Sequence, residues 1–517
     1  MALKMRYTGH PLLDAGVATL GAAAEVDNAG ALTYDHIQKF IDDILLPTYI
    51  NPIMSNYLGA VVYANVNFAN PGMNSKPQFD AIRRNRLAAW FTLAFHADPT
   101  DREALLGLID SLRQGKRSDW LLPADVEPPD ENERCAFSGD LAVIRVSRII
   151  IPMTGSDGAI NFVPDGRPRL PLAGWVLIAL LAMPMGTLNS AGQILLAHTM
   201  DTELLQRLSA YHLQENRAVI QMEDQNQDLK KRPNFRFART QLMKALVDLN
   251  WRWAKTYPLT IYQFSSAAQS ARVTMYNLES RVIRFITRAQ REVPRAWDQV
   301  VARAWHLDAP PDVAPEINTK GEQIYERRNY FYEDLFDLPH NANLFLRRYL
   351  LRRPRPGKPS GKQKQDPRFD YSASRDKEMI SWRLTELFME VMMDINKERI
   401  QAIRDLGDRL ADYIQRYDAR LYQRLYVLRK PHALRRVLLQ ANNSAKSQGL
   451  GALLPYDEFM QVFFYEDGHI MREDWFLAQD LLMIRIIEQL TPEWVSANAD
   501  LLDEAEESAP KTELEDV

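Results

Sequence analysis

Cysteine is almost absent from this chain of 517 residues, Cys135 being the single one. An internal disulfide and a cysteine-based zinc cage are thereby excluded, and a reducing, cytoplasmic setting is the natural expectation. Long apolar runs are missing too. The most apolar segment, Leu172 to Leu188, is broken by Pro184 and Gly186, whereas a membrane-spanning helix needs about 20 apolar residues. It reads as a buried core helix, with no membrane among the expected partners. His10, Pro11 and Asp14 interrupt the stretch that a signal peptide would need. Catalytic spacings are equally scarce. The nine histidines are scattered, and neither HExxH nor GxSxG occurs. The run around Gly357, Gly361 and Lys362 has three residues between its glycines and Gln363 after the lysine, so it fails as a phosphate-binding Walker loop. No enzymatic site, no metal site and no cofactor are expected.

What the chain does have is apolar mass and segregated charge. Hydrophobic residues make up 46% and charged residues 25%, ordinary for a globular protein and enough for more than one core. The formal charge is only −4, yet Lys230 to Arg303 carries a net of +11 and Arg347 to Lys377 a net of +8. Acidic residues gather after Asp503. Such asymmetry suits a polyanion-binding surface within a near-neutral protein.

Periodicity and punctuation predict an α+β fold: a mixed N-terminal α/β domain, a mostly helical middle from about residue 170, and a C-terminal antiparallel helical bundle. Thr33 is the expected N-cap of a helix through Ile44 that Pro47 ends. Leu58 to Phe68 and Leu141 to Ile151 read as strands, the second turning at 154–158 into a hairpin with 160–163. Residues 353–364 lack any apolar side chain and mark a linker. The expected parts are therefore a nucleic-acid-binding region over 1–352, a basic linker over 353–377, a bundle over 378–497 and a disordered acidic tail over 498–517.

The candidate phosphate-binding residues are Arg281, Arg284, Arg288, Arg291 and Arg295, spaced three, four, three and four apart. On one helix they would form a single ridge of roughly 21 Å, with guanidinium groups suited to bidentate phosphate contacts. Lys230, Lys231, Arg232, Arg236 and Arg239, interleaved with Phe235 and Phe237, extend that basic character. A second candidate is the turn-rich segment with Asn65, Asn67, Asn70, Asn74, Ser75 and Lys76. Asn and Lys can read base edges, although Asn-rich turns are ordinarily only turns.

Residues Tyr7 to Gly16, YTGHPLLDAG, resemble the opening motif of the CRISPR-associated large subunit of type I-B Cascade complexes. Leu453 to Phe459, with Leu481 to Arg485, resemble the end of the same family. Many relatives carry paired CxxC motifs, which this chain with its lone Cys135 does not. The resemblance implies a non-catalytic surveillance subunit whose partners are crRNA, target double-stranded DNA, backbone and crRNA-end-capping subunits, a small helical subunit and a helicase-nuclease. It implies recognition of a protospacer-adjacent motif (PAM) and support for R-loop formation, with the Asn65–Lys76 segment as the PAM-reading candidate. In some relatives the bundle is also made separately, and Met379 is a candidate internal start. The alternative is a general RNA- or ssDNA-binding scaffold outside CRISPR.

Overall fold

The computed structural model describes residues 5–50, 80–116, 120–122, 126–146, 169–190, 193–224, 237–249, 257–265, 272–308, 316–317, 323–324, 326–351, 372–428, 430–463 and 472–508. It is α+β and mostly helical, with small antiparallel sheets. The chain divides into two compact units. One comprises Met1–Trp251, Tyr257–Leu278 and Pro311–Glu326; the other comprises Arg252–Thr256, Glu279–Pro310 and Arg327–Val517.

The first unit is built around helix α1 (Pro11–Ala24), buried from Leu13 to Gly21. Pro11 occupies its first turn, where the missing N–H costs nothing. Helix α2 (Tyr34–Phe40) begins as expected, with Thr33 and His36 forming a reciprocal cap. Pro47 does not end the helical run. A π-turn over Ile41–Leu45 leads into a further helix, Leu46–Ile50, because the register shift at that junction absorbs the backbone donor that proline lacks. Helix α3 (Asp80–His96) follows.

Strand β1 (Ile144–Val146) pairs antiparallel with β2 (Leu170–Leu172). The expected turn at 154–158 and the expected return strand at 160–163 lie outside the described residues. The apolar segment becomes helix α4 (Gly174–Ala182), buried from Trp175 onward, as expected of a core helix. It approaches α1 so closely that a Cβ on Gly16 would lie 1.9 Å from the Ala179 carbonyl oxygen. Among the described residues no helix is long and apolar enough to cross a membrane. A four-stranded antiparallel sheet follows, in the order β3 (Leu188–Ser190), β4 (Gln193–His198), β5 (Leu259–Ser265), β6 (Arg272–Leu278). Helix α5 (Thr202–Asp224), between β4 and β5 in the chain, packs on α1, and α6 (Ala238–Asp248) comes after it. The expected strand at 58–68 lies outside the described residues.

The second unit starts at α7 (Ser280–Glu292) and α8 (Pro294–Arg303). It continues through α9 (Trp382–Met392), α10 (Lys397–Arg416), α11 (Arg420–Val427), α12 (Pro431–Ser447), α13 (Tyr456–Phe463), α14 (Arg472–Gln489) and α15 (Ala499–Glu507). Its core joins Phe285, Trp297, Phe331, Phe345 and Phe388 through ring pairs 5.1–6.2 Å apart. Helix α14 is buried along most of its length. Two expectations change here. The arginine helix belongs with the bundle and not with an N-terminal region ending at 352, because its apolar face is completed by α9. The segment from 498 is not simply a disordered tail, since Ala499–Glu507 is a helix with Leu502 and Ala505 fully buried against α11. Residues 509–517 and 352–371, the latter holding most of the expected linker, lie outside the described residues.

Candidate nucleic-acid interface

Helix α7 turns Val282, Ile283, Phe285, Ile286 and Ala289 into the core and leaves Arg281, Arg284, Arg288 and Arg291 on its other side. The five-residue ridge is nonetheless not continuous. Pro294 disfavours a helical conformation in the residue before it, and Val293 sits at φ −139, ψ 52. The helix stops at Glu292, and Arg295 rides on α8, which Pro294 opens.

Carboxylates of the same chain engage three of the five guanidiniums. Arg281 meets Glu279 at 3.2 Å, and Arg291 meets Glu292 at 2.9 Å. Arg288 reaches Glu292 through two hydrogen bonds of 2.9 and 3.2 Å, and Glu390 on α9 at 3.1 Å. Glu292 is held down to about 2 chiefly by its hydrogen bond from Arg288, with Arg291 adding to it against a modest burial effect. The same bond raises Arg288. These pairs differ in what a phosphate would have to displace. Arg281 and Arg291 are exposed, and exposed ion pairs contribute about 0–1 kcal/mol, so they can exchange a carboxylate for a phosphate at little cost. Arg288 is three-quarters covered and joins two helices, which makes it a structural residue. Arg284 and Arg295 are exposed, with no carboxylate partner among the described residues.

Of the flanking basic residues, Arg239 lies 4.4 Å over the Tyr276 ring, a cation–π contact within the first unit. Lys230, Lys231, Arg232 and Arg236 lie outside the described residues. So do Asn65, Asn67, Asn70, Asn74, Ser75 and Lys76.

The opening motif forms a closed hydrogen-bonded unit. Asp14 is buried on α1 and accepts from the Thr8 backbone at 2.7 Å, the Thr8 hydroxyl at 3.1 Å and the Gly9 backbone at 3.0 Å. His198 Nε2, at the end of β4, lies 3.0 Å from its second oxygen. Gly9 has φ +82, a conformation that glycine adopts without steric cost. Burial works to raise Asp14, but the His198 and Thr8 hydrogen bonds prevail and hold it below the usual carboxylate range. His10 is pushed down by burial, against the opposing pull of Asp14. The Asp14–His198 pair is invisible to motif searching, since its members stand 184 positions apart. Among the described residues no group of three or more His, Cys, Asp or Glu side chains could hold a metal ion.

These features define a mostly helical, two-unit α+β protein with an interrupted arginine face on its second unit. No family model, no curated protein and no solved structure matches the chain.

Proposed function

We propose that this chain is the non-catalytic large subunit of a CRISPR type I-B RNA-guided DNA surveillance complex. In that role it recognises the PAM, contacts the crRNA 5′ end and target DNA, supports R-loop formation and recruits the helicase-nuclease. The observation that carries the reading is the Tyr7–Gly16 motif. Its likeness to the family's opening has a physical reason, because Thr8, Gly9 and Asp14 are tied to one another and to β4. On the second unit, Arg284 and Arg295, exposed and with no carboxylate partner among the described residues, support a phosphate contact. Guide pairing would supply the sequence readout, leaving the protein to read backbone and PAM.

The test is purification of the chain from its own cells under mild salt, followed by sizing of the nucleic acid that accompanies it. One short RNA of uniform length is the expected result, and absence of RNA sinks the reading. A heterogeneous ladder would support the alternative, a general RNA- or ssDNA-binding scaffold. That alternative draws on a specific observation: with Arg281, Arg288 and Arg291 engaged by carboxylates, α7 does not present one uninterrupted phosphate ridge.

A further inference from the structure

Between Asp418 and Asp457 the chain contains no acidic residue and seven basic ones: Arg420, Arg424, Arg429, Lys430, Arg435, Arg436 and Lys446. The structure folds most of this stretch into α11 and α12. Helix α12 buries Leu434, Val437, Leu438, Ala441 and Ala445, a spacing that leaves one face outside. On that outer face lie His432, Arg435, Arg436, Leu439, Asn443 and Lys446, all exposed, strung over roughly 21 Å of helix.

Two features mark this face. Several other surface arginines of the same unit meet carboxylates, as Arg416 does Asp412 and Arg383 does Glu386, while Arg284 and Arg295 do not. Lys430, Arg435, Arg436 and Lys446 likewise have no carboxylate partner among the described residues. The placement of Lys430 also opposes the helix dipole, whereas Lys446 lies in the last turn, where a cation is favoured. Lys430 is the N-cap residue, with no side-chain cap bond, and Arg435 and Arg436 follow in the next turns. A basic group at the N-cap costs helix stability and adds to the positive potential already there. A polyanion meets here a row of donors with no carboxylate partner among the described residues.

The edge of the face is joined to an exposed ring. Asn442 accepts a hydrogen bond from the Leu454 backbone at 3.2 Å, which ties the loop before α13 to α12. Two residues further on, Tyr456 opens α13 and is 74% exposed. Cations without a carboxylate partner on one helix, and an exposed aromatic ring at the start of the next, suit an unpaired strand, whose bases are free to stack. We propose that the outer face of α12 is a nucleic-acid contact separate from α7, holding the phosphates of a single strand while Tyr456 stacks on one of its bases. The inference rests on the reading that the chain binds nucleic acid, and it assigns a surface that the arginine helix does not supply.

The experiment measures binding of fluorescein-labelled oligothymidine to the full chain by anisotropy across a salt series. The triple variant R435E/R436E/K446E should flatten the log–log salt slope by about 2, at about 0.7 per lost single-strand contact. Y456A should weaken binding about tenfold at unchanged slope, while Y456F, which keeps the ring, binds as the parent does. A triple variant that folds with the parent melting curve and keeps the parent slope overturns the proposal. So does Y456A binding like the parent. Duplex DNA showing the slope change without any Tyr456 effect would assign the face to duplex and overturn the single-strand assignment. The R284E/R295E variant separates the two surfaces: if it alone loses affinity, α7 stands and α12 falls. A parent chain that binds no oligonucleotide overturns both readings.

Discussion

Glu506 is a carboxyl group that has lost most of its solvent. It is 8% exposed on α15 and accepts from the Ala373 backbone N–H at 2.7 Å. Burial, with Asp503 nearby, raises it from 4.5 to about 7, against the lowering effect of the Ala373 hydrogen bond. The folded state therefore holds this proton more tightly than the unfolded state does. The associated stability is complete below about pH 4.5 and is lost as pH rises through about 7, with an upper bound of about 3 kcal/mol. Glu506→Gln keeps a carbonyl acceptor and cannot ionise. Its melting temperature should match the parent near pH 4.5 and exceed it above pH 7, and parallel curves across that range would refute the assignment. Asp14 and Glu292 act in the opposite sense. Their lowered carboxyls contribute stability that is present above the unfolded carboxyl range and is lost as pH falls through their folded values.

At the level of single elements, α7 shows what sequence pattern carries and what it does not. The apolar set Val282, Phe285, Ile286 and Ala289 identifies both the helix and its buried side. Pro294 was equally legible as a helix start, yet the regular arginine spacing invites reading straight through it. The partner of Arg288 was not legible, since Glu390 lies 102 positions away and only the packing of α7 on α9 brings it to 3.1 Å. The same limit hides Asp14–His198. In α15 local composition misleads: five carboxylates in Ala499–Glu507 suggest a solvated chain, but Leu502 and Ala505, three apart, supply the apolar stripe that docks it. The ion pairs of α7 give a graded prediction. Arg288→Ala should cost about 1–2 kcal/mol in urea unfolding, as a partly covered pair bridging two helices. Arg284→Ala should stay within about 0.5 kcal/mol. A double-mutant cycle of Arg288→Ala with Glu390→Gln should show coupling near 1 kcal/mol, and zero coupling would remove the bridge from the stability of the fold.

For the whole molecule, class was legible and partition was not. Helical periodicity after residue 170 and the core character of α4 are local properties that any window of sequence displays. The division between units depends instead on which apolar faces meet, and the face of α9 meets residues from far upstream. Phe388 packs on Phe285 and Phe345, both with centroids 5.3 Å away, and buried Asp480 on α14 is paired with Arg347 at 2.6 Å. A bundle started at Met379 would lose all three partners. It would uncover Phe388, at about 1.5–3 kcal/mol for a side chain of that size, and leave a buried carboxylate without its cation, at about 3–5 kcal/mol. Together these approach the entire stability of a small domain. A fragment from Glu279 keeps Phe285, Phe345 and Arg347. We expect the Glu279 fragment to melt cooperatively, and the Met379 fragment to bind a hydrophobic dye and show no cooperative transition unless a partner covers α9. Cooperative melting of the Met379 fragment alone would show that the aromatic cluster is dispensable, and would restore 378–497 as a self-sufficient bundle.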